Sequence, residues 1–190
     1  MNQNKRFKVI FIGNSNTGKT SIISKFNENK IKNLGSTIGF EYSDIISIEN
    51  NIILEIWDTA GQERYKSMVS TFFRQMDACV IVYDITNYKS YKDIEYWYTE
   101  INNYNTNDNL LIYLVANKTD LKMDYDFTSD RAFSNINNMN FVKTTIFDNK
   151  TIKNLLNLII RDLSTLPNNF IFINNIEINE SKYKNKCINC

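Results

Sequence analysis

The chain of 190 residues contains no histidine. That absence excludes histidine-based general acid-base catalysis, Ser-His triads and the common zinc sites. Any chemistry must come from positioning, a metal ion and carboxamide or carboxylate groups. Cysteine is scarce, with three in the chain. Cys79 lies in the apolar run from Ala78 to Tyr83 and is expected to be a reduced core residue, whereas Cys187 and Cys190 lie at the far end of the sequence. No apolar run approaches the roughly 18 residues a membrane span needs. Met1 to Arg6 holds no segment like a signal peptide, and residue 2 is Asn rather than the glycine that myristoylation requires. A cytosolic protein is expected. The net charge is only +1, so no nucleic-acid partner is expected. The length suits one domain with a proper core.

What is present turns on Gly13 to Thr20, read GNSNTGKT, which fits G-x-x-x-x-G-K-[ST] and follows the apolar run Phe7 to Ile12. A strand feeding a glycine-flanked loop that opens a helix aims backbone N–H groups and a helix N-terminus at one spot, which suits a phosphate chain. Gly13, Asn14, Ser15, Asn16, Thr17, Gly18, Lys19, Thr20 and Ser21 are the candidates to hold it. Lys19 brings a charge to the outer phosphates, and the Thr20 hydroxyl is placed to ligate a shared Mg2+.

The rest of the chain alternates between two periods. Phe7 to Ile12, Ala78 to Tyr83 and Leu110 to Ala116 read as buried strands. Glu41 to Ile48 and Ile52 to Trp57 form an antiparallel hairpin around Glu49, Asn50 and Asn51. Ile22, Ile23 and Phe26 place an apolar stripe on the helix after the loop. Tyr91, Ile94, Trp97, Ile101 and Tyr104 do so on a second helix, and Ile152, Leu155, Leu156, Ile159 and Leu163 on a closing one. A short helix over Ser129 to Asn137 and a short strand over Phe141 to Thr144 complete the pattern. This alternation implies a three-layer α/β domain with a mostly parallel sheet and a ligand crevice at the carboxyl ends of the strands. From Pro167 the periodicity dissolves, so residues 1–166 are expected to be the domain and 167–190 a flexible tail.

Asn117-Lys118-Thr119-Asp120 selects the base. The Asp120 carboxylate can accept two hydrogen bonds from the N1–H and N2–H2 edge of guanine, which adenine does not offer, and a buried charged acceptor left unpaired costs a few kcal/mol. Asn117 would bond the base and the phosphate loop, and the Lys118 stem would lie along the ring. Thr37 can add a hydroxyl to Mg2+, and Asp58 at a strand end can hold the metal. Gly61 can give its N–H to the γ-phosphate, and Gln62 can orient the attacking water. Alone, Gln62 would read as a solvated polar residue, and NKTD as a surface turn.

With GNSNTGKT, STIGFEY, WDTAGQERY and NKTD in this order, residues Lys5 to Leu166 resemble the Ras superfamily of small GTPases, and its Rab branch in particular. The resemblance implies a P-loop GTPase domain with a six-stranded, mostly parallel sheet, one antiparallel edge strand and five helices. It implies a monomeric switch, on with GTP and off with GDP. Asn27 to Tyr42 resembles switch I and Asp58 to about Gln75 resembles switch II. Ile38, Gly39, Phe40, Tyr42, Trp57, Phe72 and Phe73 resemble a Rab effector surface, although plain core packing is the alternative for Trp57. Partners implied are effectors, an exchange factor, a GDP-dissociation inhibitor and an activating protein. The last would be needed because no arginine in the motifs is placed as a finger in cis, and a supplied one accelerates hydrolysis by about 10^3 to 10^5.

The chain departs from that pattern in three places. Asn16 stands where Gly or Ala is usual, and Asn tolerates left-handed backbone. The segment between Lys19 and Thr37 is one residue short and lacks its usual aromatic. The last guanine motif is Thr145-Ile146-Phe147 in place of Ser-Ala-Lys, leaving the Ile146 N–H for the base. Nucleotide retention weaker than in a typical Rab is expected, by about 1 to 3 kcal/mol for one such contact.

Cys187 and Cys190 lack the second pair a four-ligand metal site needs. They read better as prenylation sites, both modified or Cys187 alone, with Lys182, Lys184 and Lys186 drawn to anionic lipid. The expected location is the cytosol and the cytoplasmic face of an intracellular membrane. Two functions stand open: a GTP-hydrolysing regulator of vesicle traffic, and a guanine-nucleotide-dependent scaffold with little or no hydrolysis. A P-loop ATPase would require ATP to compete with GTP.

Overall fold

The computed structural model describes residues 5–27, 40–47, 51–59, 73–122 and 128–166. Six strands, β1 (Lys5–Ile12), β2 (Phe40–Ser47), β3 (Ile52–Thr59), β4 (Ala78–Asp84), β5 (Leu111–Asn117) and β6 (Asn140–Lys143), form one sheet in the order β2-β3-β1-β4-β5-β6. All neighbours are parallel except β2 and β3, which pair antiparallel from Phe40 opposite Thr59 to Ser47 opposite Ile52. The expected architecture is therefore present, with its one antiparallel strand at the edge.

Five helices are described: α1 (Lys19–Asn27), α2 (Tyr88–Lys92), α3 (Ile94–Tyr104), α4 (Thr128–Ile136) and α5 (Asn149–Ser164). Because successive strand residues point to opposite faces, each central strand feeds two cores. Val9, Phe11, Leu54, Ile56, Val80, Val82 and Val115 pack under α1 and α5. Ile10, Ile12, Cys79, Ile81, Leu114 and Ala116 pack with Ile94, Trp97 and Ile101 of α3. All seven residues of β4 are buried, as a central parallel strand covered on both sides requires. Burial in this apolar setting pushes the Cys79 thiol pKa upward, in keeping with an inert core cysteine.

Helix boundaries follow local chemistry. The α1 helix starts where Gly18, at φ +94°, leaves left-handed space, and its first bond runs from Ile22 N–H to the Gly18 carbonyl at 3.0 Å. Asn87 caps α2 by accepting from the Lys89 and Ser90 N–H groups, and Asp148 caps α5 by accepting from Lys150 N–H. The single helix expected across Tyr91 to Tyr104 is instead two, sharing Asp93 as joint, and Tyr104 is exposed rather than packed. Hydrogen bonding still crosses the joint, from Asp93 N–H to the Lys89 carbonyl and from Trp97 N–H to the Asp93 carbonyl, both at 3.0 Å. In α5, Ile160 is buried and Leu156 is half-buried. Among the described residues no helix is long and apolar enough to cross a membrane.

Candidate functional site

The loop from Gly13 to Thr20 leaves β1 beside the ends of β3 and β4. Gly13 has φ +133°, and a Cβ there would lie 2.1 Å from the Val82 carbonyl oxygen. At Gly18 a Cβ would lie 2.3 Å from Asn117 Nδ2. Both glycines are thus required by close approach as well as by backbone angle. Asn16 adopts φ +63°, the left-handed conformation that asparagine tolerates. The Thr17 hydroxyl donates to the Asn14 carbonyl at 3.0 Å, and Thr17 is fully buried. Ser15, Asn16, Thr20 and Ser21 are exposed.

Lys19 is 5% exposed and curls back into the loop, its Nζ donating to the carbonyls of Gly13 at 2.9 Å and Asn14 at 2.8 Å. Burial pulls its pKa down to about 8, with Asp58 opposing the shift. Two neutral carbonyls are modest partners for an ammonium taken from water. An anion reaching the loop gives Lys19 a charged acceptor and favours the protonated state.

Beside it, the Thr20 hydroxyl donates to Asp58 Oδ2 at 2.5 Å, and Asp58 is buried. The end of β3 is fixed by the Thr59 hydroxyl, which donates to the Phe11 carbonyl at 2.7 Å. One carboxylate and one hydroxyl, both hard oxygen donors next to a phosphate loop, fit Mg2+, which takes few protein ligands and completes its shell with phosphate and water. They do not fit a soft-metal site, and among the described residues there is no cluster of three His, Cys, Asp or Glu.

Asn117 joins this loop to the end of β5. Its Nδ2 donates to the Thr17 carbonyl at 2.8 Å and its Oδ1 accepts from the Thr144 hydroxyl at 3.0 Å. Thr119 reaches the Thr144 carbonyl through its N–H at 3.2 Å and its hydroxyl at 3.0 Å. The exposed Asp120 carboxylate accepts from the Thr145 hydroxyl at 2.5 Å, which leaves its other oxygen and further lone pairs for a base. Thr145 is buried and Ile146 half-buried in the turn that follows. Lys118 sits at φ +64° with Nζ 2.6 Å from Asp84 Oδ2. Asp84 also accepts from the N–H and hydroxyl of Thr86 at 2.9 and 2.7 Å. Burial raises the Asp84 pKa, but Lys118 and Thr86 together outweigh it and hold the carboxyl below its ordinary range.

Gly13 to Ser21, Asp58, Asn117, Lys118, Asp120, Thr145 and Ile146 thus gather at the carboxyl ends of the strands. Thr37, Gly61, Gln62, Ile38, Gly39, Phe72, Cys187 and Cys190 lie outside the described residues, and Phe40 is placed only by its backbone in β2. Phe73 is a correction. It is fully buried with Met76, Ile81 and Tyr83, so it belongs to the core and not to an effector surface. Tyr42, 47% exposed, meets Trp57 edge to face with ring centroids 5.3 Å apart.

Four contributors were not evident from the sequence. Asp84 had a signal, a carboxylate ending a buried strand. Thr144 had none, nor did Asp93, which accepts from Asn14 Nδ2 at 2.7 Å, and Trp97, whose Nε1 donates to Asn14 Oδ1 at 3.0 Å, read only as core. A protein-family model described as the Ras family matches residues 8–165.

Proposed function

This chain belongs to the Ras family of small GTPases, and from that premise we propose that it is a Rab-like switch governing vesicle traffic at the cytoplasmic face of an intracellular membrane. The family assigns guanine-nucleotide binding, GTP hydrolysis and regulation by exchange factors, activating proteins and effectors. The observation that carries the nucleotide-site reading is the Asn117 side chain bridging the Thr17 carbonyl and the Thr144 hydroxyl. It locks the phosphate loop and the two base loops into one unit, with Asp120 at its rim.

The residues divide the work. Backbone N–H groups of Gly13 to Ser21 and the Lys19 ammonium hold the phosphates, while Thr20 and Asp58, with Thr37, hold Mg2+. A Mg2+ held by these residues would supply charge neutralisation at the phosphates. Gln62 orients a water in line with the γ-phosphorus, and GTP and water become GDP and phosphate. Loss of the γ-phosphate releases Thr37 and Gly61, and the two switches relax. The Rab assignment rests on STIGFEY, WDTAGQERY and the exposed Tyr42 beside Trp57. Prenylated Cys187 and Cys190 would supply the anchor and the handle for a GDP-dissociation inhibitor.

Titration of nucleotide-stripped protein in Mg2+ tests the reading. GDP and GTP should bind at least about 100-fold more tightly than ATP. Equal affinity for ATP would overturn it. Mass spectrometry of the native protein should find lipid on one or both terminal thiols, and two free thiols would defeat the anchoring part.

A further inference from the structure

Asn14 divides its duties between main chain and side chain. Its carbonyl accepts from Lys19 Nζ at 2.8 Å and from the Thr17 hydroxyl at 3.0 Å. Its side chain reaches the joint of α2 and α3, where Nδ2 donates to Asp93 Oδ2 at 2.7 Å and Oδ1 accepts from Trp97 Nε1 at 3.0 Å. We propose that Asp93 and Trp97 are positioning residues for nucleotide retention: they hold Asn14, and through it the phosphate loop, so that the α2–α3 joint sets how fast GDP leaves.

The loop's other braces leave the Asn14 side chain untouched, since Thr17 and Lys19 bond only the Asn14 carbonyl and Asn117 holds the Thr17 carbonyl. When Lys19 meets a phosphate, its bonds to the Gly13 and Asn14 carbonyls compete with the charged acceptor. The bonds from the Asn14 side chain do not involve Lys19 and persist. The one to Asp93 has an ionised acceptor and is the stronger kind. The one from Trp97 involves an indole N–H on a residue only 8% exposed, which burial makes costly to leave unpaired. The two anchors also move as one body, since Trp97 N–H bonds the Asp93 carbonyl within the helix. A shift of α3 is therefore felt at Asn14 through both.

This inference rests on the reading of Gly13 to Thr20 as a nucleotide site. The test is the dissociation rate of a fluorescent GDP from the full chain in Mg2+. Asp93→Ala should speed release about tenfold, and Trp97→Phe about threefold. Asn14→Asp sets two carboxylates against each other and should release GDP faster than either. Exchanging the pair, as Asn14→Asp with Asp93→Asn, restores an amide facing a carboxylate and should return the rate to within about twofold of wild type. Urea unfolding of the same variants separates a retention role from loss of stability, since only the former changes release at an unchanged midpoint, and the exchange remains readable if Asp93→Ala fails to fold. An exchanged protein as fast as Asn14→Asp, or Asp93→Ala at the wild-type rate, overturns the proposal alone. A wild-type chain that binds no fluorescent GDP overturns the nucleotide site, and this proposal with it.

Discussion

Lys19 holds a charge where the fold makes charge costly. Its pKa falls to about 8 from an ordinary 10.5, first because of burial. The unfolded chain therefore keeps a proton that the nucleotide-free folded chain gives up between those values, so stability rises as pH climbs through that window. Below it both states are charged and the burial cost is present in full. Relative to Lys19→Met, the stripped wild type should gain on the order of 2 to 3 kcal/mol between about pH 7.5 and about pH 10.5 in denaturant unfolding. A flat difference would contradict a charged, buried Lys19. At the base loop, Thr145 aims the Asp120 carboxylate, so Thr145→Ala should speed GDP release about tenfold while leaving ATP discrimination in place. Unchanged release would show that Asp120 orients itself. Much of this scale was legible. The glycines, Lys19, Thr20 and Asn117 sit in motifs whose chemistry fixes their roles. The Asn14 contacts were not, because they join residues 79 and 83 positions apart and nothing local encodes them.

Elements carry the site through their ends. The turn from Thr145 to Phe147 is held between β6 and the cap of α5, with Thr145 N–H donating to the Thr151 hydroxyl at 3.2 Å. Asp148 caps that helix and also takes the Thr151 hydroxyl on its carbonyl at 2.8 Å. Asp148→Ala should cost about 1 kcal/mol in urea unfolding, and Asp148→Asn only a small part of that. Equal losses for both would point away from capping. The strands were legible because each is either a continuous apolar run or a β-branched hairpin arm. The helix over Tyr91 to Tyr104 was legible in phase but not in continuity. Its stripe continues through Asp93, and the break there is a tertiary matter, with the carboxylate tied to the phosphate loop. Phe73 misled for a related reason: an aromatic inside a switch-like segment reads as surface, whereas its neighbours Met76 and Tyr83 enclose it.

For the molecule as a whole, the sheet brings five strand ends to one edge, and each loop there contributes one function. Phosphate and base contacts are joined by Asn117 into one unit, and the proposed function assigns switching to Thr37, Gly61 and Gln62. The fold and this fixed unit followed from alternation and motif order. The Rab assignment draws on switch and tail residues, where sequence likeness is the support. The central claim is that this chain hydrolyses GTP as a regulated switch. It is tested most directly by single-turnover hydrolysis of GTP preloaded with Mg2+ on wild type and Gln62→Leu, with and without an activating protein that offers an arginine. Slow loss of GTP from wild type, accelerated by about 10^3 to 10^5 with the activator and nearly abolished in Gln62→Leu with GTP still bound, is the predicted result. GTP that stays intact on the wild type under both conditions would contradict it and leave a guanine-nucleotide-dependent scaffold.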